Sequence, residues 1–271
     1  MSAPRRALVL TPALALLVAC TAAGPVAPDP SAVAPTSTPV TPSGTPAADP
    51  TPAPERIVVL DPGHNGGNGR AGTEITRQVP DGRGGAKACN TTGTSTDAGY
   101  PEHAFAWDLA SRVRAPLEAA GVTVVLTRGS DDGVGPCVDE RGRAGQEAGA
   151  DLVVSLHADG AAARGRGFHV AYSSPPLDAA QSGPAVDLAR DLRDALRAGG
   201  FPPSDYTGRD GLSARPDLAG LNFATVPAAL VECGNMRNAE EAAVLSSAEG
   251  RERYATAIAE GIRTFLTGLS S

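Results

Sequence analysis

The sequence predicts an α/β domain with a mostly parallel, twisted sheet and helices on both faces, preceded by a disordered Pro-rich tether. In the main part of the chain, short apolar runs alternate with segments whose apolar residues recur at helical spacing, which is typical of this fold class. Ten of the 24 prolines fall within residues 24–54, where only Asp29 and Asp49 are charged. That segment lacks the apolar residues of a core, so a single folded domain is expected after it.

The first residues predict an export signal. Two arginines, Arg5 and Arg6, precede a mostly apolar stretch over 7–19, which is too short to span a bilayer. The stretch ends in Leu-Val-Ala-Cys, similar to a bacterial lipobox, and this predicts lipidation of Cys20. The alternative is ordinary signal cleavage a few residues later, with Cys20 incidental. The expected parts are a lipoprotein-type signal peptide, a tether and a catalytic domain, at 1–19, 20–54 and 55–271.

The first elements of the domain can be assigned from their apolar runs and from the Pro and Gly residues that bound them. A short apolar run at 57–60 predicts a strand, and the Asp-Pro-Gly that follows it predicts a turn. A helix over 102–120 begins after Pro101 and stops at Gly121. The β-branched run 122–127 predicts the second strand.

The same alternation continues to the end of the chain. The remaining predictions, in order, are a helix at 139–148, strands at 152–156 and 167–172, a helix at 181–198, a strand at 228–232 and a helix at 249–266. Between Asn65 and Tyr100 the chain is rich in Gly, Thr and Asn and too long for a plain connection. Its Pro-Asp-Gly at 80–82 predicts the turn of a small hairpin.

Three cysteines remain in the folded domain, so at most one disulfide forms within it. Cys89 and Cys137 lie in loops flanked by Gly and Pro, whereas Cys233 follows an apolar run and is predicted to be a buried strand thiol. We predict a Cys89–Cys137 disulfide. The alternative is three free thiols.

Charge limits the partners. The formal net charge is −7, which disfavours phosphate backbones, so nucleic-acid binding is not expected. No apolar run after residue 19 is long enough to cross a bilayer, so membrane attachment is expected through the lipid anchor only.

Polar residues follow three of the predicted strands at the edge where α/β sheets bind ligands. They include His64, His157 and Glu232, and a charged Glu on a core strand is costly unless it is paired or near a metal. Glu102 lies in a first helical turn, where an anion is favoured.

These residues suit a catalytic zinc site, which commonly uses two His and one carboxylate. The spacing leaves open whether Glu102 or Glu232 is the ligand, and the other would serve as general base. Without a His-Glu-x-x-His pair, a thermolysin-like protease is excluded. In the alternative without a metal, His64 caps a turn and His157 is a hydrogen-bonded residue at the sheet edge.

Several motifs occur in a characteristic order. They are Val-Leu-Asp-Pro-Gly-His at 59–64, Tyr-Pro-Glu-His at 100–103, Ser-Leu-His-Ala-Asp at 155–159, Gly-Arg-Gly-Phe-His at 165–169, Asp-Leu-Ala-Gly-Leu-Asn at 217–222 and Glu-Cys-Gly-Asn at 232–235. Together they resemble the zinc-dependent N-acetylmuramoyl-L-alanine amidases of the Amidase_3 type over nearly all of 56–268. The chain is most similar to small actinobacterial members that lack wall-binding repeats.

The resemblance implies that His64, Glu102 and His157 bind one zinc ion per chain and that Glu232 is the catalytic carboxylate. It implies hydrolysis of the amide between N-acetylmuramic acid and L-Ala, in peptidoglycan or its fragments, for cell-wall remodelling or turnover. Zinc would polarise the amide carbonyl and lower the pKa of a bound water. Glu232 would take the water proton and return it to the leaving amine.

The chain departs from the family in two places. Many members have Glu-x-Gly-Phe where this chain has Glu-Cys-Gly-Asn, and the missing Phe affects local packing more than chemistry. Cys233 should point away from the edge that displays Glu232, because side chains alternate along a strand. The segment after His64 is longer than in minimal members. We hypothesise that it forms a disulfide-anchored flap beside the zinc, tied to the Cys137 loop.

Arg209, Asn222 and Asn235 are the candidate substrate-binding residues. His169, in the middle of a strand, is expected to be structural, with a substrate-lining role as the alternative. We expect a monomer that acts on peptidoglycan or muropeptides outside the cytoplasmic membrane, either membrane-anchored or secreted to the cell wall or periplasm.

The sequence disfavours two other function classes. A wall-binding lipoprotein without turnover is disfavoured by the intact Glu232. An iron oxygenase with a triad of His157, Asp159 and a distal His is disfavoured because that triad usually lies on an all-β jelly roll.

Overall fold

The structure, a computed structural model, describes residues 55–269. The predicted signal peptide, Cys20 and the tether lie outside the described residues. The strands are β1 (Arg56–Pro62), β2 (Gln78–Pro80), β3 (Ala86–Ala88), β4 (Val122–Leu126), β5 (Leu152–Asp159), β6 (His169–Ser173), β7 (Leu212–Arg215) and β8 (Ala228–Asn235). The α-helices are α1 (Gly72–Ile75), α2 (Glu102–Ala119), α3 (Val138–Glu147), α4 (Ala179–Ser182), α5 (Pro184–Ala198), α6 (Ala219–Asn222), α7 (Ala239–Ser246) and α8 (Ala248–Gly268). A 3₁₀ turn spans Asn68–Arg70.

Six strands form one sheet in the order β4-β1-β5-β8-β6-β7. All neighbours in it are parallel except β6 and β8, which are antiparallel. The last strand in the chain, β8, lies between β5 and β6. The structure therefore confirms the predicted mostly parallel sheet.

Helices cover both faces of the sheet, as predicted. Side chains alternate between the faces along each strand, so Val58 and Leu60 pack with α2, α5 and α8 in the larger core. Val59 and Val153 face the opposite side, which is covered by α3 and α6. We call this second side the α3/α6 face. His157 of β5 and Glu232 of β8 lie on this side.

The predicted elements differ from the structure in three respects. The helix predicted at 181–198 is two helices, because the chain breaks at Gly183 and restarts with Pro184 in the first turn of α5. The strand β7 (4 residues) and the helices α6 (4 residues) and α7 (8 residues) are too short to show a clear period, and they were not predicted. Finally, β5 and β8 continue three residues beyond their predicted ends, because their backbones stay paired past the apolar runs.

The long segment after His64 contains the predicted hairpin. Strands β2 and β3 pair antiparallel, and Oδ1 of Asp81 accepts hydrogen bonds from the backbone N–H of Arg83 and Gly85 in the turn. A disulfide joins Cys89 to Cys137, just before α3, so the predicted pair is present. Cys233 is a free thiol buried in the core.

In the part of the chain that the structure describes, helices of sufficient length and apolarity to traverse a bilayer are absent.

Candidate metal centre

Two histidines and one glutamate meet at the carboxyl ends of β1 and β5. His64 follows β1, His157 lies near the end of β5, and Glu102 is the first residue of α2. One donor atom from each lies within 4.8 Å of the others. Oε1 of Glu102 is 3.1 Å from Nε2 of His64 and 2.8 Å from Nδ1 of His157. Of the two candidate carboxylates, Glu102 is therefore the one in contact with both histidines.

A backbone oxygen helps to fix the orientation of the His64 ring. Nδ1 lies 3.1 Å from the backbone oxygen of Thr91, and this contact holds the ring with Nε2 turned toward Glu102. The backbone of His64 has φ 57°, in the left-handed region that residues other than glycine rarely adopt. This local strain points the imidazole into the cluster.

Two glycines make room for the cluster. A β-carbon at Gly63 would overlap the His157 ring, and one at Gly93 would lie 2.8 Å from both Glu102 and His64. Gly93 also has φ 75°. The close approach of backbone to side chains at these two positions therefore requires glycine.

The Glu102 carboxylate is buried and fully hydrogen-bonded. Its Oε2 accepts from the backbone N–H of Thr94 at 2.9 Å, and its Oε1 from that of Ala158 at 3.3 Å. Burial alone would raise the pKa of Glu102, but the hydrogen bonds with His157 and His64 outweigh it and hold that pKa far below its usual range. Glu102 is thus an anion held ready for a cation.

A buried arginine of α3 holds the segment that carries His64. Arg141 donates hydrogen bonds to the backbone oxygens of Pro62 (2.7 Å) and His64 (2.6 Å) and forms an ion pair with Asp61 at 2.5 Å. Burial would raise the pKa of Asp61, but Arg141 and the hydroxyl of Thr127 overcome this and lower it. These contacts keep the strained turn in one conformation.

A second arginine completes this support. Arg128 donates to the backbone oxygens of Pro62 and Gly63, at 3.0 and 3.3 Å, and to that of His103 at 2.9 Å. It therefore joins the end of β1 to the first turn of α2. No sequence motif indicated Arg128 or Arg141, because a guanidinium that binds several backbone oxygens is recognisable only after the chain has folded.

Glu232 lies in the same row of the sheet as His157. The two residues are partners in the parallel pairing of β5 with β8, so their side chains share the α3/α6 face. Oε2 of Glu232 is buried and has no hydrogen-bond partner. Burial raises the pKa of Glu232 well above its ordinary value, and the negative charges of Glu102 and Asp159 raise it further. A buried carboxylate oxygen without a partner needs a cation or a proton donor.

An apolar cavity of about 260 Å³ adjoins the two histidines on the α3/α6 face. Its walls include Ala88 of β3 together with Val138, Leu218, Leu221 and Leu230. The hairpin β2–β3 closes one side of it, because Lys87 donates to the backbone oxygen of Asp217 at 2.7 Å.

Comparison with known proteins decides the family. The family model of N-acetylmuramoyl-L-alanine amidase, Amidase_3, matches residues 58–264. This chain belongs to the Amidase_3 family. The amidase Rv3717 of Mycobacterium tuberculosis (strain ATCC 25618 / H37Rv) is 52% identical over 220 residues, which cover 81% of this chain and 90% of the relative.

Solved structures agree. The amidase Ami1 from Mycobacterium smegmatis is 55% identical with a TM-score of 0.77, and the match covers 79% of this chain and 97% of that one. The apo form of Ami1 from Mycobacterium abscessus is 51% identical with a TM-score of 0.76, over 78% and 98% of the respective chains. The match to the small actinobacterial type of Amidase_3 enzyme is thus shown.

The residues of this Amidase_3 site suit zinc. Two imidazole nitrogens and one carboxylate oxygen form the donor set of many catalytic zinc sites, which leave a fourth position open. Glu232, in the same row of the sheet as His157, has a buried oxygen without a hydrogen-bond partner. The donor chemistry and this buried, unpartnered atom both fit the metal.

The three candidate substrate-binding residues lie apart from the cluster. The side chain of Asn222 is buried and bonds to Ser173, Arg83 and backbone oxygens, and that of Asn235 is buried and donates to backbone oxygens. Both fasten loops in this amidase. Arg209 is exposed. Direct contact of these residues with substrate stays a prediction.

Proposed function

We propose that this chain is a zinc-dependent amidase that cleaves the bond between the lactyl group of N-acetylmuramic acid and L-Ala, in peptidoglycan or its fragments. His64, Glu102 and His157 would hold one zinc ion, and Glu232 would be the catalytic carboxylate. The single observation that carries the proposal is the sheet register. It pairs Glu232, which has an unpartnered buried oxygen, with His157 of the three-donor cluster.

A zinc ion bound there supplies Lewis acidity, which polarises a carbonyl and acidifies water. The side chains of the protein supply the proton transfers. Glu232 accepts a proton from the attacking water and delivers it to the nitrogen of L-Ala as the amide C–N bond breaks. The products are the lactyl carboxylate and the free amine of the stem peptide.

We propose that the substrate is recognised by the residues around the proposed metal centre. The net charge of −7 gives no bulk cationic attraction to an acidic wall polymer. The apolar cavity beside His64 and His157 has the size and lining to accept uncharged parts of the substrate next to the scissile amide.

We further propose that the protein acts outside the cytoplasmic membrane as a monomer. The family's wall substrate supports this, and so does a disulfide within the domain, since disulfides persist in oxidising compartments. Whether Cys20 is lipidated can be determined from the mass of the mature N-terminal peptide.

The segment between His64 and Tyr100 is proposed to act as the disulfide-anchored flap of the site. Its hairpin reaches across the α3/α6 face, where Arg83 donates to Ser173 at 2.9 Å and Lys87 to Asp217. Shortening the hairpin tip should change hydrolysis of polymeric peptidoglycan differently from hydrolysis of small muropeptides. Equal effects on both substrates would contradict a flap.

The decisive experiment is mass spectrometry of muropeptides digested by the purified protein, with metal content measured in parallel. We expect products that separate N-acetylmuramic acid from an intact stem peptide, and about one zinc per chain. Cleavage between two amino acids, or full activity in protein free of zinc, would refute the proposal.

A further inference from the structure

A second histidine lies directly across from Glu232. In the antiparallel pairing of β6 with β8, His169 is the partner of Glu232, while His157 is its partner on the other side. Partners in a sheet share a face, and their β-carbons are about 5 Å apart in an antiparallel pair. One row of the α3/α6 face therefore runs His157, Glu232, His169, with the carboxylate in the middle.

Both residues of the Glu232–His169 pair carry an unsatisfied buried atom. Within residues 55–269, three buried side-chain atoms have no hydrogen-bond partner, and two of these are Nδ1 of His169 and Oε2 of Glu232. His169 is only 2% exposed. An unsatisfied buried donor or acceptor is costly, so two such atoms on facing side chains indicate a shared function.

The surroundings of His169 keep its ring neutral. Burial lowers the pKa of His169 to about 4, against the opposing effect of Asp159, while Arg215 lowers it further. The Tyr206 ring packs edge-on, 6.3 Å away, and its hydroxyl donates to Asp159 at 3.1 Å. A neutral imidazole has one N–H donor and one acceptor, so His169 can donate a hydrogen bond without adding a charge.

His169 is not a further ligand of the metal cluster. Strand β6 lies two strands from β5, which is a separation of roughly 10 Å. The cluster of possible ligands found among the described residues comprises His64, Glu102 and His157 alone. His169 therefore acts on Glu232 from the side away from the metal.

We propose that His169 is the positioning residue of Glu232, whose Oε2 receives a hydrogen bond from Nδ1–H of His169 in the working enzyme. This inference rests on the proposed function. Fixing Oε2 on one side leaves Oε1 to take and return the proton of the attacking water. The hydrogen bond would also keep the carboxylate from turning away when substrate enters.

The test compares three substitutions in the full-length, zinc-loaded protein. Asn places an amide N–H near the position of Nδ1, Gln places one near the position of Nε2, and Leu has no donor. We expect His169→Leu to lower kcat about 10- to 100-fold, the effect of losing a hydrogen bond to a charged group, with KM and zinc content little changed. His169→Asn should recover most of kcat, and His169→Gln should not.

Val170→Ala is the matched control for stability. Val170 is the next residue of β6 and is buried in the larger core on the opposite face, so its truncation should lower Tm without lowering kcat. Full kcat in His169→Leu, or recovery by Gln in place of Asn, would overturn the proposal. The proposal would also be overturned if all three His169 variants lost kcat and Val170→Ala lost as much kcat for the same loss of Tm.

A measurement on the unmutated protein covers the case in which the variants do not fold. The chain has four histidines, so long-range ¹⁵N–¹H spectra can be assigned with few variants. We expect the Nδ1–H tautomer at His169, and the Nε2–H tautomer would overturn the proposal. If the protein does not cut the muramoyl–alanine bond at all, the proposed function fails. If it does cut and His169→Leu has full activity, only this inference fails.

Discussion

At the scale of single residues, the site depends on a few side chains whose partners are backbone atoms. His64 is oriented by the backbone oxygen of Thr91, and Glu102 by the N–H groups of Thr94 and Ala158. These partners cannot be lost by a single side-chain substitution. A single substitution should affect the site most at two places. One is the ion pair of Arg141 with Asp61, and the other is Glu232, which has an oxygen without a partner.

Glu232→Gln should separate catalysis from metal binding. The substitution keeps the shape but removes the base, so kcat should fall by about 10²- to 10⁴-fold while zinc remains bound. His64→Ala should lose both zinc and activity. Metal analysis and a muropeptide assay on the same samples check this. Near-normal turnover by Glu232→Gln would assign the base to another group.

Arg141→Met should lower both the stability of the fold and the zinc affinity of the proposed metal centre. The change leaves Asp61 buried without its ion-pair partner, which typically costs about 3–5 kcal/mol of unfolding free energy. It also releases the backbone oxygen of His64, so zinc affinity should fall about 10- to 100-fold. Chemical denaturation and zinc titration measure the two effects.

The control for Arg141→Met is Arg190→Met. Arg190 pairs with Asp187 on the exposed side of α5, and such a pair contributes about 1 kcal/mol or less. An Arg141→Met variant that matched this control in both stability and zinc affinity would show that the buried arginine is dispensable.

At the scale of elements, the ends of strands and the first turn of a helix supply the chemistry. The apolar runs of β1, β5 and β8 predicted their strands, and the polar residues after them predicted which side chains would meet. The spacing of the sequence did not show whether Glu102, in a first helical turn, or Glu232, at the end of a strand, is the ligand. The side-chain contacts show that Glu102 touches both histidines, and the sheet register shows that Glu232 lies beside His157 in the same row.

Strand β7 and helix α6 were missed by the sequence patterns because they are short. Strand β7 reads Leu-Ser-Ala-Arg and α6 reads Ala-Gly-Leu-Asn, so neither is long enough to show a period. Their conformations come from tertiary contacts, such as the pairing of β7 with β6. By contrast, the hairpin β2–β3 was predictable because its turn residues act locally.

The disulfide should stabilise the hairpin segment against α3. The two cysteines are separated by 48 positions, and the chain-entropy model gives about 4 kcal/mol for closing a loop of that length. We expect Cys89→Ala/Cys137→Ala to lose free energy of unfolding of that order. Cys233→Ala, which removes a buried thiol but no bridge, is the matched control. Equal losses in the two proteins would assign the effect to packing.

At the scale of the whole molecule, the proposed zinc ion would join parts of the chain that are distant in sequence. The proposed ligands come from β1, α2 and β5, so bound zinc cross-links the carboxyl edge of the sheet. Because a metal that binds only the folded state adds to stability, zinc at about 1,000 times its Kd should contribute roughly 4 kcal/mol. For a domain of this size that corresponds to a rise in Tm of roughly 10 °C.

Chelation should therefore lower Tm, and added zinc should restore it. Glu232→Gln should respond like the unmutated protein, since it keeps all three proposed ligands, whereas the Tm of His64→Ala should not respond to zinc. Calorimetry with and without chelator measures this. A Tm that chelation leaves unchanged would mean that zinc does not bind the folded protein tightly.

The position of β8 has a consequence for how the protein is made. Strand β8 comes last in the chain yet lies between β5 and β6, so the sheet closes only when this final strand inserts between two strands synthesised earlier. A chain that emerges amino-terminus first carries its three proposed zinc ligands well before Glu232. The proposed base therefore joins the three proposed ligands only when β8 takes its place between β5 and β6, so the complete site forms at the last step of sheet assembly.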